Sequence, residues 1–395
     1  MNNNEYIPYG QHYINENDIQ SVIKTLKGKF ITQGPNVSKF EALFAKNVNA
    51  KYTTAVNSAT SALHIACLAL GLKKGDFLWT SPITFVASAN CGKYCNAKVD
   101  FVDIDLSTGL ISIDALQKKL QIAEIKGNLP KVLVPVHLGG ASCEMKRIWE
   151  LSKKYGFSVI EDASHAIGGK YYGEPVGDCR YSDACIFSLH PVKIITSAEG
   201  GILTTNNKEI DSKVKMLRSH GITKDKECFL LEDHSPWTYE QQFLGYNYRM
   251  SDIHAALGLS QLERLESIVL KRNQLRNLYE NKFLNSSVQL LSIPEKIYSS
   301  NHLCIIQIED TNDMKKKHMK IFKSLREANI GVQLHYMPVH LQPFYRNFGY
   351  KRNDFPNAEK YAEKSISLPL YPELNENNLD YIVRNLESII KNYTD

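Results

Sequence analysis

Lys193 lies between two apolar runs, ACIFSL (184–189) and GGILTT (200–205), rather than on a polar helix face. Partial desolvation at such a place lowers an amine's pKa and supplies the neutral form that attacks a carbonyl. Asp162 closes a third run, FSVIED (157–162), at the carboxyl edge of an expected strand, where the protonated ring nitrogen of a cofactor could rest. Opposite charges ~4 Å apart at an effective dielectric near 20 attract by about 4 kcal/mol. That is roughly three pKa units, enough to keep a ring protonated and electron-accepting. His165, three residues on, could donate to a ring oxygen. In NSATSALHIACLALG (57–71) a helix opening near Ser61 offers free N–H groups and the Thr60 and Ser61 hydroxyls to a phosphate. Each helix-end interaction adds only ~0.3–1 kcal/mol, so further donors such as Ser188 are required. Phe85 in SPITFVASAN (81–90) could stack on a flat ring. GYNYRM (245–250) places Asn247 and Arg249 beside Tyr248. Taken singly, each has an ordinary alternative: a surface lysine, a helix cap, a core histidine or phenylalanine, a solvated loop. The combination is what points to chemistry.

The elements that must position these groups alternate. TTAV (53–56), KVDFVDID (98–105), KVLVPVHL (131–138), FSVIED, ACIFSL and GGILTT read as strands, and helical patterns intervene at 61–70, 113–122 and 145–155. In the last of these, Met145, Ile148, Trp149 and Leu151 recur at helical spacing and Gly156 follows as a C-cap. This is an α/β chain with a mostly parallel sheet covered on both faces, whose ligands gather at the carboxyl ends of the strands. The stretch 251–285 predicts one long helix capped by Ser251 or Asp252. Apolar segments at 302–309 and 330–336 and helical patterns at 314–328 and 376–392 suit a smaller α+β domain. The expected division is therefore a large domain over 1–250 and a small C-terminal one over 251–395. Residues 223–243, charged and aromatic, read as a long surface loop.

Composition excludes several classes. With 395 residues, 43% hydrophobic and 23% charged, the chain is an ordinary globular enzyme in make-up. A net charge of +5, spread along the chain, suits anionic metabolites and argues against nucleic-acid binding. The N-terminal MNNNEYIPYG lacks the basic and apolar regions of a signal peptide, and no apolar run is long enough for a bilayer. The eight cysteines are scattered without a CxxC pair or metal-site spacing, which suggests reduced thiols in the cytoplasm and no metal centre.

Read in order, NSATSAL, SPITFVASAN, EDASHAIGG, FSLHPVKIITSAEGG, RSHGI, GYNYRMSDIHAALGLSQL and HYMPVH resemble the DegT/StrS-type nucleotide-sugar aminotransferases. These are fold-type-I, aspartate-aminotransferase-like enzymes that use pyridoxal 5'-phosphate. The resemblance runs from about Tyr9 to SLPLYP (367–372). It implies Lys193 as the lysine that carries the cofactor and Asp162 as the partner of its ring nitrogen. It implies His165 beside the ring oxygen, Phe85 on the ring face, and Thr60, Ser61, Ser188 and the Ala59 amide at the phosphate. Asn247 matches a residue that reaches the cofactor phosphate of a second subunit, so the resemblance implies a homodimer with shared active sites. Tyr9, the segment from Lys29 to Thr32, and the segment from Gln333 through His335 to Tyr336 would line the substrate side. Lys29, His335 and Arg249 are candidates for the nucleotide diphosphate, an anionic group that Arg and Lys suit.

ITQG, NSATSALH, DASHA, SLHPVK, LRSHGI and SSNHL look closest to the branch that makes 4-amino sugars for pseudaminic-acid-type biosynthesis. Its reaction takes an amino group from glutamate to C4 of a UDP-linked 4-keto-6-deoxy-N-acetylhexosamine. Alternatives are another nucleotide-linked keto sugar, such as a dTDP-4-keto-6-deoxyhexose, or a non-catalytic regulatory protein on the same fold. A sugar dehydratase of this scaffold would carry histidine in place of Lys193. A hydrolase triad from Asp162, Ser164 and His165 is disfavoured, because three close neighbours rarely form one and no GxSxG elbow is present.

Overall fold

The computed structural model describes residues 5–232, 235–284, 286–309 and 313–393. Its centre is a seven-stranded sheet built from β1 (Tyr52–Val56), β2 (Phe77–Thr80), β3 (Lys98–Phe101), β4 (Val132–Val134), β5 (Ser158–Asp162), β6 (Ala184–Ser188) and β7 (Gly201–Thr205). Across the sheet the order is β1-β7-β6-β5-β4-β2-β3. The links β3–β2, β2–β4, β4–β5 and β5–β6 are parallel, and β7 pairs antiparallel with both β6 and β1. The α/β fold with a large, mostly parallel sheet is thus as expected, and β7 is the strand that runs against the others. β6 and β4 are buried along their whole length, as strands covered on both faces must be.

The chain order brings the chemistry to one edge. β1 ends at Val56, β5 at Asp162 and β6 at Ser188, and β7 begins opposite Ser188 at Gly201. On β5, successive side chains point to opposite faces. Glu161 takes hydrogen bonds from Ser182 at 2.5 Å and from His137 at 2.8 Å on one face, while Asp162 meets Ser88 on the other.

A second sheet holds Val288–Leu290, Cys304–Ile308 and Ser365–Leu368, antiparallel, with Cys304–Ile308 in the middle. Its apolar core joins Leu275, Tyr279, Ile306, Ile366, Leu379 and Ile382, and Ile7 from the chain start enters it beside Ile330. A separate core unites Phe40, Phe44, Phe187 and Ile195 with Ala255, Leu262 and Leu265.

One expectation needs correction. The stretch 251–285 is two helices, Asp252–Leu262 and Leu265–Lys282. At the break Arg264 leaves helical geometry (φ −104°, ψ 3°), and its guanidinium turns to the Asp18 carboxylate and the Tyr13 carbonyl. The described residues of 223–243, expected as a surface loop, are mostly exposed and are tied together at two places. Ile222–Thr223 pairs with Glu240–Gln241, and the buried Glu240 carboxylate accepts the Leu230 and Leu231 N–H groups at 2.7 Å each.

Candidate active site

At the end of β5 the Asp162 carboxylate is fixed from two sides. Its Oδ2 accepts the Ser88 hydroxyl at 2.5 Å and its Oδ1 accepts the Ser164 N–H at 3.1 Å. One turn on, His165 Nδ1 accepts the Gly139 N–H at 3.3 Å. A ring nitrogen that accepts cannot carry the proton, so neutral His165 holds its hydrogen on Nε2, 3.1 Å from the Tyr336 hydroxyl. Burial, with Lys193 and His335 nearby, pushes His165 well below the usual histidine range. The His302 ring packs 4.5 Å from that of His165 and is pushed the same way by burial and its charged neighbours.

Lys193 occupies the turn between β6 and β7. Its backbone N–H closes that turn on the His190 carbonyl at 2.9 Å, and Ile194 and Ile195 behind it are buried. Burial pulls the amine down to about 8, against an opposing pull from the Asp162 carboxylate. A lysine in this state supplies free amine near neutral pH.

The phosphate-like end of the cleft is the start of helix Ala59–Ala69. Ser58 is its N-cap: the Ser58 hydroxyl oxygen accepts the Ser61 N–H at 3.1 Å. The Ser61 hydroxyl donates to Asn57 at 2.6 Å. The first-turn amides of Ala59 and Thr60 are left without intrahelical acceptors, as at any helix start. This turn lies against β7 so closely that a Cβ on Gly201 would come within 2.4 Å of the Ser58 carbonyl carbon and 2.5 Å of the Ala59 nitrogen. Gly201→Ala is therefore expected to destabilise the chain by about 1–3 kcal/mol and to weaken phosphate-bearing ligands. Thermal unfolding and cofactor titration check both effects.

These groups border one cleft of about 320 Å³. It brings together Ala59, Thr60, Phe85, Asp162, His165, Ser188 and Lys193 with Tyr9, His335 and Tyr336. Ser61, its N–H and hydroxyl both engaged, stands behind this surface. Lys29, Thr32 and Asn247 are exposed away from it, and Arg249 pairs with Val56 by a backbone bridge. Gln333 lies outside the described lining: its backbone bridges Ser367 and its Oε1 accepts the Leu334 N–H. His335, a candidate for the diphosphate, is not a cation in this setting. Burial and the nearby Lys193 push it down to about 3, and its Nδ1 lies 2.8 Å from the Ser367 hydroxyl. It is a neutral hydrogen-bonding group. Ser58, Thr84 and His302 also border the cleft and escaped the sequence reading, as did Ser88 behind it.

The donor set fits a flat, phosphorylated aldehyde with a basic ring nitrogen. It has an amine of lowered pKa, a fixed carboxylate, an aromatic face, and a helix start with two hydroxyls, Thr60 and Ser188. Among the described residues no group of histidine, cysteine and carboxylate side chains could hold a metal, and no helix is long and apolar enough to cross a membrane.

Residues 12–387 match the model of the DegT/DnrJ/EryC1/StrS aminotransferase family. The chain is 38% identical over 388 residues, covering 98% of each sequence, to the UDP-4-amino-4,6-dideoxy-N-acetyl-beta-L-altrosamine transaminase of Campylobacter jejuni. Its fold is similar to that of PseC from Helicobacter pylori, an aminotransferase involved in the biosynthesis of pseudoaminic acid (TM-score 0.89, 30% identity, 98% and 100% of the two chains). It is also similar to Spr1654 from Streptococcus pneumoniae in its PLP form (TM-score 0.88, 28% identity, 98% and 99%).

Proposed function

The chain belongs to the DegT/DnrJ/EryC1/StrS aminotransferase family and is a pyridoxal-phosphate-dependent sugar aminotransferase, and from that premise we propose its substrates and the parts its residues play. It transfers the amino group of glutamate to C4 of a UDP-linked 4-keto-6-deoxy-N-acetylhexosamine, giving the UDP-4-amino sugar of pseudaminic-acid-type biosynthesis. The likeness to the Campylobacter and Helicobacter enzymes supports this choice. One observation carries the chemistry: an amine drawn down to about 8 shares a cleft with a carboxylate fixed at the carboxyl edge of the sheet.

Bound pyridoxal phosphate supplies an aldehyde that takes up amines and a ring that accepts the electron pair of the carbon being deprotonated. Lys193 would hold the cofactor through its aldehyde, and its amine would move a proton between C4′ of the cofactor and C4 of the sugar. Asp162 keeps the ring nitrogen protonated. His165, with its hydrogen on Nε2, donates to the ring oxygen, and Phe85 covers a ring face. The Ala59 and Thr60 amides and the Thr60 and Ser188 hydroxyls bind the phosphate.

Tyr9, Gln333, His335 and Tyr336 face the sugar. Lys29 and Arg249 hold the diphosphate, the two cations left once His335 is neutral. Lys29, Thr32 and Asn247 are exposed in a single chain, which supports a homodimer in which they complete the partner's cleft. All eight cysteines are free, in keeping with a cytoplasmic enzyme.

The test offers purified protein glutamate and a panel of UDP- and dTDP-linked 4-keto-6-deoxy sugars, with products identified by mass and NMR. Amination at C4 of the UDP-N-acetyl sugar is expected. Amination of the dTDP sugars alone, or of none, would overturn the assignment.

A further inference from the structure

We infer that Ser88 is a positioning residue for Asp162 and is itself aimed by Thr84, through a one-way chain of two hydroxyls ending on the carboxylate. The inference rests on the reading that Asp162 pairs with the cofactor's ring nitrogen. It concerns residues that neither touch that nitrogen nor carry charge.

The polarity follows from counting hydrogens. Ser88 Oγ lies 2.5 Å from Asp162 Oδ2 and 3.4 Å from the Phe85 carbonyl. A hydroxyl has one hydrogen, and the short contact to a carboxylate takes it. Thr84 Oγ1 lies 2.7 Å from Ser88 Oγ, whose hydrogen is already committed. Thr84 must therefore be the donor, and the chain runs Thr84 to Ser88 to Asp162. The reverse direction would leave a carboxylate oxygen unserved in a buried place, since Ser88 is fully buried and Thr84 is 2% exposed.

The geometry also says what the chain achieves. Asp162 Oδ1 is held by the Ser164 N–H from its own turn, and Oδ2 by Ser88 from helix Ala87–Tyr94. The backbone beneath is pinned by the Asp162 N–H on the Pro135 carbonyl and by the His137 N–H on the Asp162 carbonyl. With one donor on each oxygen and the strand end fixed, the carboxylate plane cannot turn without breaking a hydrogen bond. Each oxygen keeps a lone pair for a ligand. Phe85 stands between Thr84 and Ser88 in sequence, so the segment that covers the ring face also aims the carboxylate at the ring edge.

The test compares wild type, Ser88→Ala, Ser88→Thr and Thr84→Val, each reconstituted with pyridoxal phosphate. Its readouts are the pH profile of the bound cofactor's visible absorption, the dissociation constant for the cofactor, and kcat and KM for glutamate. Loss of a hydrogen bond to a charged group should move the profile of Ser88→Ala by about one pH unit and lower kcat by about tenfold. KM for glutamate should hold nearly constant, because substrate contacts are intact. Ser88→Thr should keep the wild-type profile, and Thr84→Val should move it the same way by less.

A folded Ser88→Ala protein with unchanged profile and kcat overturns the inference. If that variant does not fold, an unchanged profile in Thr84→Val overturns it instead. A wild-type protein that takes up no cofactor would overturn the reading of the whole site, a result distinct from silent variants of a loaded enzyme.

Discussion

Lys193→Ala should lower amino transfer by about a thousandfold or more, the scale of losing a positioned acid–base group together with a covalent anchor. Borohydride followed by peptide mapping should leave a pyridoxyl group on position 193 of the wild type and none on the variant. No second lysine or arginine borders the described cleft. Four histidines border it, His165, His190, His302 and His335. Burial holds His165, His302 and His335 far below the histidine range, so those three are too weak to take over the proton transfer.

The pH dependence has a definite sign. A folded-state value near 8 means that the amine is largely protonated below that pH and free above it. Covalent capture of the cofactor should therefore quicken as pH rises and level off above about 8, losing about tenfold per unit on the acid side. Stopped-flow absorption checks this. Normal turnover in Lys193→Ala would sink the assignment of the lysine.

The parts of this architecture legible in sequence share a physical cause. Strands buried on both faces must be apolar throughout, so β1, β4, β5, β6 and β7 announce themselves as continuous runs. Lys193 and Asp162 stand out because each interrupts or closes such a run. β2 is a four-residue strand that follows the charged KKGD directly and gives way at once to SPITF, whereas the equally short β3 and β4 lie within the longer runs KVDFVDID and KVLVPVHL. The break between Leu262 and Leu265 has no local signal, because Arg264 turns toward Asp18, 246 positions away. Ser88 hides for the same reason: its carboxylate partner lies 74 positions later, and the residues around it read as core. At the phosphate-like end the helix begins at Ala59 rather than near Ser61. A shift of about half a turn moves Ser61 off the cleft and puts Ser58 on it. The low basicity of His335 is a burial effect, which a sequence cannot display.

Asp162→Asn separates the two tasks that the carboxylate performs. Asparagine keeps the size but removes the charge, and its NH₂ must face one of two donors, the Ser88 hydroxyl or the Ser164 N–H. Opposite charges ~4 Å apart at an effective dielectric near 20 are worth about 4 kcal/mol, so turnover should drop by about a thousandfold in a variant that still binds cofactor. The effect on Lys193 goes the other way. Asp162 holds the lysine's value up against burial, so removing the charge should bring it further below about 8 and enlarge the free-amine fraction at pH 7. Covalent capture at pH 7 should then be faster than in wild type while turnover is far slower. A general loss of structure would slow both, and a carboxylate with no part in the chemistry would slow neither. Measuring capture and turnover on the same preparation therefore decides whether Asp162 acts on the ring, on the lysine or on both.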